Sequence, residues 1–105
     1  MGLFDLFVAD INVGVEQYKS TDGALLIDVR TGEEYMNGHI ENSINIPLDR
    51  ISTVEETVRD KYTPLFVYCL SGGRSGRAVS YLKNMGYKNV KNIGGISKFR
   101  GKAVR

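Results

Sequence analysis

The stretch VYCLSGGRSGRAVSYL, residues 67–82, decides the fold and holds the only cysteine of the chain. An apolar run over 65–69 leads into the thiol. A Gly-rich, Arg-bearing loop follows, and then a helical pattern over 74–85 in which Ala78, Val79, Leu82 and Met85 share one face. The order is strand, tight loop, helix. A second apolar run, ALLIDV at 24–29, has strand length and ends near an acid, as expected of a strand buried on both faces.

Working outward, Thr31 with Glu34 three residues on forms a capping box, so a short helix is expected through Tyr35 and Met36, ended by Gly38. Residues 43–46 read as a short strand stopped by Pro47. Residues 52–62 read as a helix, with Val54 and Val58 four apart. Pro64 forces extended backbone before the strand that ends in Cys69, and Gly86 stops the helix after it. Residues 90–92 make a last short strand, and Gly94 and Gly95 turn into a helical segment around Ile96 and Phe99. Towards the N-terminus, residues 13–19 have helical spacing with Asn12 available as cap, and 3–7 read as a short edge strand. Strands alternating with helices imply one α/β domain over 1–105, with a mainly parallel central sheet flanked by helices. In such sheets functional residues lie at the carboxyl ends of strands, which is where Cys69 falls.

Composition narrows the function. A formal charge of +2 with no block of Lys and Arg gives no sign of a nucleic-acid partner. One cysteine cannot form an internal disulfide and is too few for a thiolate zinc site, and His39 has no companion at ligand spacing, so neither a metal nor another cofactor is expected. The start, MGLFDLFVAD, is apolar but short, is broken by Asp5 and lacks a basic lead or a cleavage motif. Gly2 resembles a myristoylation start, but Leu6 stands where Ser or Thr is required. No run reaches membrane-spanning length. The expectation is a cytoplasmic protein with a reduced thiol and no membrane partner.

A lone cysteine at the end of an apolar strand is either an inert core residue or a reactive group. The residues after it favour reactivity. Gly72 and Gly73 let the chain curl, and a curled loop running into a helix aims several N–H groups at one point, an anion nest. A sulfur at that point is favoured as thiolate. Arg74 adds a permanent charge that can hold an oxyanion. Arg77, one turn on, is expected at the same mouth. Ser71 and Ser75 offer hydroxyls.

Cysteine phosphatases carry a similar loop with five residues between Cys and Arg. Here there are four, Cys69-Leu-Ser-Gly-Gly-Arg74, so the nest is smaller and suits a smaller group, such as one added sulfur. CLSGGRS at 69–75 resembles the active loop of rhodanese-like sulfurtransferases, Cys-x-x-Gly-x-Arg-Ser. LIDVR at 26–30, EEYMNGHIENSINIPL at 33–48 and NIGGISKF at 92–99 resemble further segments of that family, in the same order. Asn42 and Ser43 replace a common Gly-Ala, Phe99 a common Trp, and Leu70 a polar or charged first loop residue, which bears on acceptor choice.

The resemblance implies that Cys69 attacks a small anionic sulfur donor such as thiosulfate and becomes a persulfide, stabilised by the loop Leu70, Ser71, Gly72, Gly73, Arg74 and Ser75. A thiophilic acceptor, cyanide, a thiol or a protein, then removes the sulfur. Arg74, with Arg77, would take the donor's sulfonate end. Asp28 and Arg30, at the other strand end, are read as a hydrogen-bonded brace with loop support or ligand contact as the alternative. His39 is structural in the Gly-His-Ile turn by the same resemblance. Glu33 and Glu34 suit a helix dipole, Lys98, Arg100 and Lys102 a solvated basic end, and Tyr81, Tyr87 and Phe99 packing. Two other readings stand beside this one. The domain can be a non-enzymatic sulfur carrier or partner-binding module, or a thiolate phosphatase or arsenate reductase, against which loop length speaks.

Overall fold

The computed structural model describes residues 9–105, so the strand expected at 3–7 lies outside the described residues. Among the described residues four parallel strands form the sheet in the order β2-β1-β3-β4: β1 is Leu25–Asp28, β2 Ile44–Asn45, β3 Leu65–Cys69 and β4 Val90–Gly95. From β1 the chain steps outward to β2 and then crosses back to β3 on the other side of β1. The crevice between the carboxyl ends of β1 and β3 is therefore the switch point where such sheets bind ligands, and Cys69 stands there.

Strand periodicity divides the core. Leu65, Val67 and Cys69 face one side of the sheet and Phe66 and Tyr68 the other. The first side packs with Ile27, Val29, Ile51, Val54, Ala78, Val79 and Leu82. The second packs with Ile11, Val15, Leu26, Ile40 and Ile93, and Phe99 leans on it. Both central strands are thus covered on both faces, which is why their sequences read as unbroken apolar runs.

Helix α1, Ile11–Lys19, is capped by Asp10, whose carboxylate accepts the Asn12 N–H. Asn12 is not the cap; its side chain pins the C-terminal segment, donating to the Lys98 carbonyl at 3.1 Å and accepting the Arg100 N–H at 2.8 Å. Helix α2, Gly32–Met36, carries the capping box expected of Thr31 and Glu34. Asn42 takes a left-handed turn at φ 72, which asparagine tolerates, and frees Ser43 to meet the buried Tyr68 hydroxyl. The helix expected at 52–62 is shorter and begins earlier: a 3-10 stretch, Leu48–Thr53, runs into one turn, α3, Val54–Thr57. The chain turns extended at Val58, which is buried and whose carbonyl accepts the Tyr87 hydroxyl. Burying Val58 wins over continuing a helix with few apolar contacts. Helix α4 spans Gly73–Asn84. Strand β4 runs through Gly94 and Gly95, which close the strand before the short 3-10 turn Ile96–Lys98. No helix among the described residues is long and apolar enough to cross a membrane.

Helix α1 approaches β4 closely because Gly14 has no side chain. A methyl there would stand 2.3 Å from Cβ of the buried Ile93. Gly14→Ala is expected to cost about 3 kcal/mol, the upper end for overpacking, which outweighs the roughly 1 kcal/mol that alanine gains in a helix. Thermal unfolding should show a clearly lower Tm for this variant.

Candidate active site

Cys69 ends β3 with 1% of its surface exposed. Its sulfur accepts the Gly72 N–H at 3.0 Å and lies 3.3 Å from the Ser75 hydroxyl. Gly72 sits at φ 105, a conformation closed to most side chains. It caps α4 there, turning its N–H towards the sulfur and its carbonyl away. Burial pushes the thiol pKa up, but the Ser75 hydroxyl and the N–H groups of Ser75, Gly72 and Ser71 outweigh it, so the thiol lies below its ordinary value. Of the expected N–H donors, that of Gly72 is the one hydrogen-bonded to the sulfur among the described residues.

The nest is tied to β4. Asn92 donates from Nδ2 to the Gly72 carbonyl at 3.2 Å. Its Oδ1 accepts the Gly94 N–H at 3.0 Å and the Ser75 hydroxyl at 2.7 Å. The Gly94 N–H can only donate, which fixes the amide's orientation. The Ser75 hydroxyl also reaches the Gly72 carbonyl at 3.1 Å, so its single proton is contested between Asn92, Gly72 and the sulfur. The end of β4 floors the loop. A Cβ on Gly95 would lie 2.1 Å from the Leu70 carbonyl oxygen and 2.5 Å from Cα of Ser71. Only glycine permits that contact.

The charged residues sort into two roles. Arg30 holds the fully buried Asp28 through Nε at 3.1 Å and Nη2 at 2.7 Å, and Nη2 also donates to the Gly38 carbonyl at 2.7 Å. This is the brace. It ties β1 to the turn before β2, and among the described residues it makes no hydrogen bond to loop 70–75. Arg74, by contrast, reaches across the crevice: Nη1 and Nη2 grip the two oxygens of Glu34 at 2.7 and 3.0 Å. The hydrogen bonds from Arg74 outweigh partial burial, and with those from Thr31 they hold the Glu34 carboxyl at a pKa of about 2.

Arg77 is exposed and lines, with Arg74, an open cleft of about 670 Å³ walled by Val29, Leu48 and Ile51. Tyr81, expected as a packing residue, is 51% exposed and borders this cleft. On the opposite side of the loop, Ser71, Lys98 and Arg100 border a second depression. Leu70 is exposed at the loop's start. His39 stacks on Tyr35 at 3.7 Å and contacts the Tyr35 carbonyl through Nδ1, away from the sulfur. Among the described residues no group of three or more His, Cys, Asp or Glu is placed to hold a metal.

Sequence reasoning missed the parts played by Glu34 and Asn92. Glu34 was legible as a capping-box residue, and that local role concealed the distant one. Asn92 lies two residues before a Gly-Gly pair, a hint of close backbone approach, but nothing local says what the amide would meet.

A sulfur cradled at a strand end by the N–H groups of a short Gly-rich loop defines a class, and the comparisons agree: a family model for the rhodanese-like domain matches residues 14–102, and the chain belongs to that family. It is 42% identical over 71 residues to the thiosulfate sulfurtransferase PspE of Escherichia coli, covering 67% of this chain and 68% of PspE. It is 37% identical over 97 residues to the adenylyltransferase and sulfurtransferase Uba4 of Ogataea parapolymorpha, covering 91% of this chain but only 25% of Uba4. Among solved structures, a rhodanese with anions from E. coli superposes with a TM-score of 0.73 at 37% identity, over 78% of this chain and 98% of that one.

The geometry predicts a titration. In the wild type, the pH dependence of alkylation by iodoacetamide should give a midpoint below the ~8.5 of a free thiol. Ser75→Ala removes a donor to the thiolate and so raises the midpoint.

Proposed function

We propose that this chain is a sulfurtransferase that carries a sulfane sulfur as a persulfide on Cys69, with thiosulfate as a competent donor. The observation that carries the reading is the sulfur of Cys69 held on the Gly72 N–H inside a loop one residue shorter than a phosphate-sized nest requires.

In the first step the Cys69 thiolate attacks the outer sulfur of thiosulfate. A new S–S bond forms, the bond to the sulfonate sulfur breaks, and sulfite leaves with the electron pair. The persulfide that remains is a small anion, and the N–H groups of Ser71, Gly72 and Ser75 stabilise it as they stabilise the thiolate. In the second step an acceptor attacks the terminal sulfur. Cyanide leaves as thiocyanate, and the Cys69 thiolate is restored. No general base is required, because the nest already lowers the thiol pKa. Arg77 gives the cleft beside the loop its positive side, since Arg74 is paired with Glu34, and the exposed Leu70 gives an acceptor apolar surface to rest on. A thiol or a protein is the acceptor class that such a surface suits.

Intact mass after incubation with thiosulfate tests the reading. The wild type should gain one sulfur atom, cyanide should remove it, and Cys69→Ser should gain nothing. A wild type that stays unmodified with thiosulfate, yet takes sulfur from a protein persulfide, would identify a sulfur carrier instead.

A further inference from the structure

Glu34 does more than cap a helix. Its carboxylate accepts from the Thr31 N–H at 3.0 Å and the Thr31 hydroxyl at 3.1 Å, which closes the capping box. The same carboxylate takes both terminal nitrogens of Arg74. The fork by which an arginine grips a sulfonate or phosphate is therefore already filled, by a group of the protein itself. The pair is half-buried, with side-chain exposures of 34% and 31%, and Glu34 stays ionised down to a pKa of about 2. Across the whole working range the loop's own cation is thus matched by an anion. In the cleft that Arg74 borders, the uncompensated charge belongs to Arg77, which is exposed and forms no ion pair among the described residues.

We propose that Glu34 is a specificity-determining residue: by occupying and neutralising Arg74 it lowers the site's preference for multiply charged anions, and so favours sulfur donors and acceptors of low charge. Thiosulfate, a dianion, then reacts in spite of Glu34, and a singly charged or neutral sulfane donor reacts without that penalty. The inference deepens the function proposed above, but it concerns the charge sensed at Cys69 and not sulfur transfer.

Alkylation separates the two. Iodoacetate and iodoacetamide react with the same sulfur by the same displacement and differ by one negative charge. The ratio of their rates on Cys69 therefore reads the local potential, while any change in thiol pKa or access that affects both reagents alike cancels. Glutamine is accepted at this position of a capping box, so Glu34→Gln removes the charge and keeps the helix start. Its ratio of iodoacetate to iodoacetamide rates should rise roughly three- to tenfold over wild type at low ionic strength, as removal of the unit charge that balances the loop's arginine implies. The rise should shrink in high salt. The reciprocal Arg74→Gln, which leaves Glu34 unbalanced, should fall below wild type and supplies the test should the first variant not fold. A ratio that both variants leave at the wild-type value, or a sulfur that neither reagent reaches, overturns the proposal. A ratio that moves as stated while thiosulfate adds no sulfur would overturn the proposed function and leave this inference standing.

Discussion

A buried sulfur can be held as an anion only where donors are already in place, because burial alone drives the thiol the other way. The hydrogen bond from the Gly72 N–H to Cys69 Sγ, 3.0 Å long, is the interaction on which the site depends. It requires a left-handed residue three positions after the cysteine, a helix starting at once, and a strand that ends at the sulfur. Each element around it serves one of those needs. β3 delivers the thiol to the crevice, α4 starts on the Gly72 whose N–H meets it, and Asn92 keeps Gly72 from turning away. Similar donors that had to reorganise from solvent would stabilise the anion far less.

The two ion pairs flanking the crevice differ in what burial makes of them. Asp28 and Arg30 are withdrawn from water, with side-chain exposures of 0% and 6%. Such a pair returns little net stability, since desolvation offsets most of its attraction. It fixes geometry instead, joining the end of β1 to the Gly38 carbonyl, and Asn45 adds hydrogen bonds to the carbonyls of Asp28 and Arg30. Glu34 and Arg74 remain within reach of solvent and so keep their influence on an incoming ligand. One pair shapes the crevice, and the other sets its charge.

Much of this was legible in the sequence. The two apolar runs, the capping box at Thr31 and the tight turn after Cys69 follow from local rules of propensity, period and turn chemistry. The family resemblance rested on motifs in order and is matched over residues 14–102. What local rules could not supply was partnership over distance. Val58 left its helix to be buried under Tyr87, Tyr81 turned out to the cleft, and Asn12 gave the cap to Asp10 in order to hold the C-terminal segment. Glu34 and Arg74 are 40 residues apart, and each has a complete local explanation. Residues with two roles are the ones a linear reading resolves by half.

Among the described residues strand β4 lies at the edge of the sheet, paired on one side only, yet it carries the floor of the loop at Gly95 and the amide that steadies Gly72. Edge strands open more readily than central ones. The shelter of Cys69 is therefore built in part by the sheet's margin. With β4 in place the sulfur is 1% exposed. A strand that offers the sulfur no hydrogen bond among the described residues thus fixes the loop that holds it.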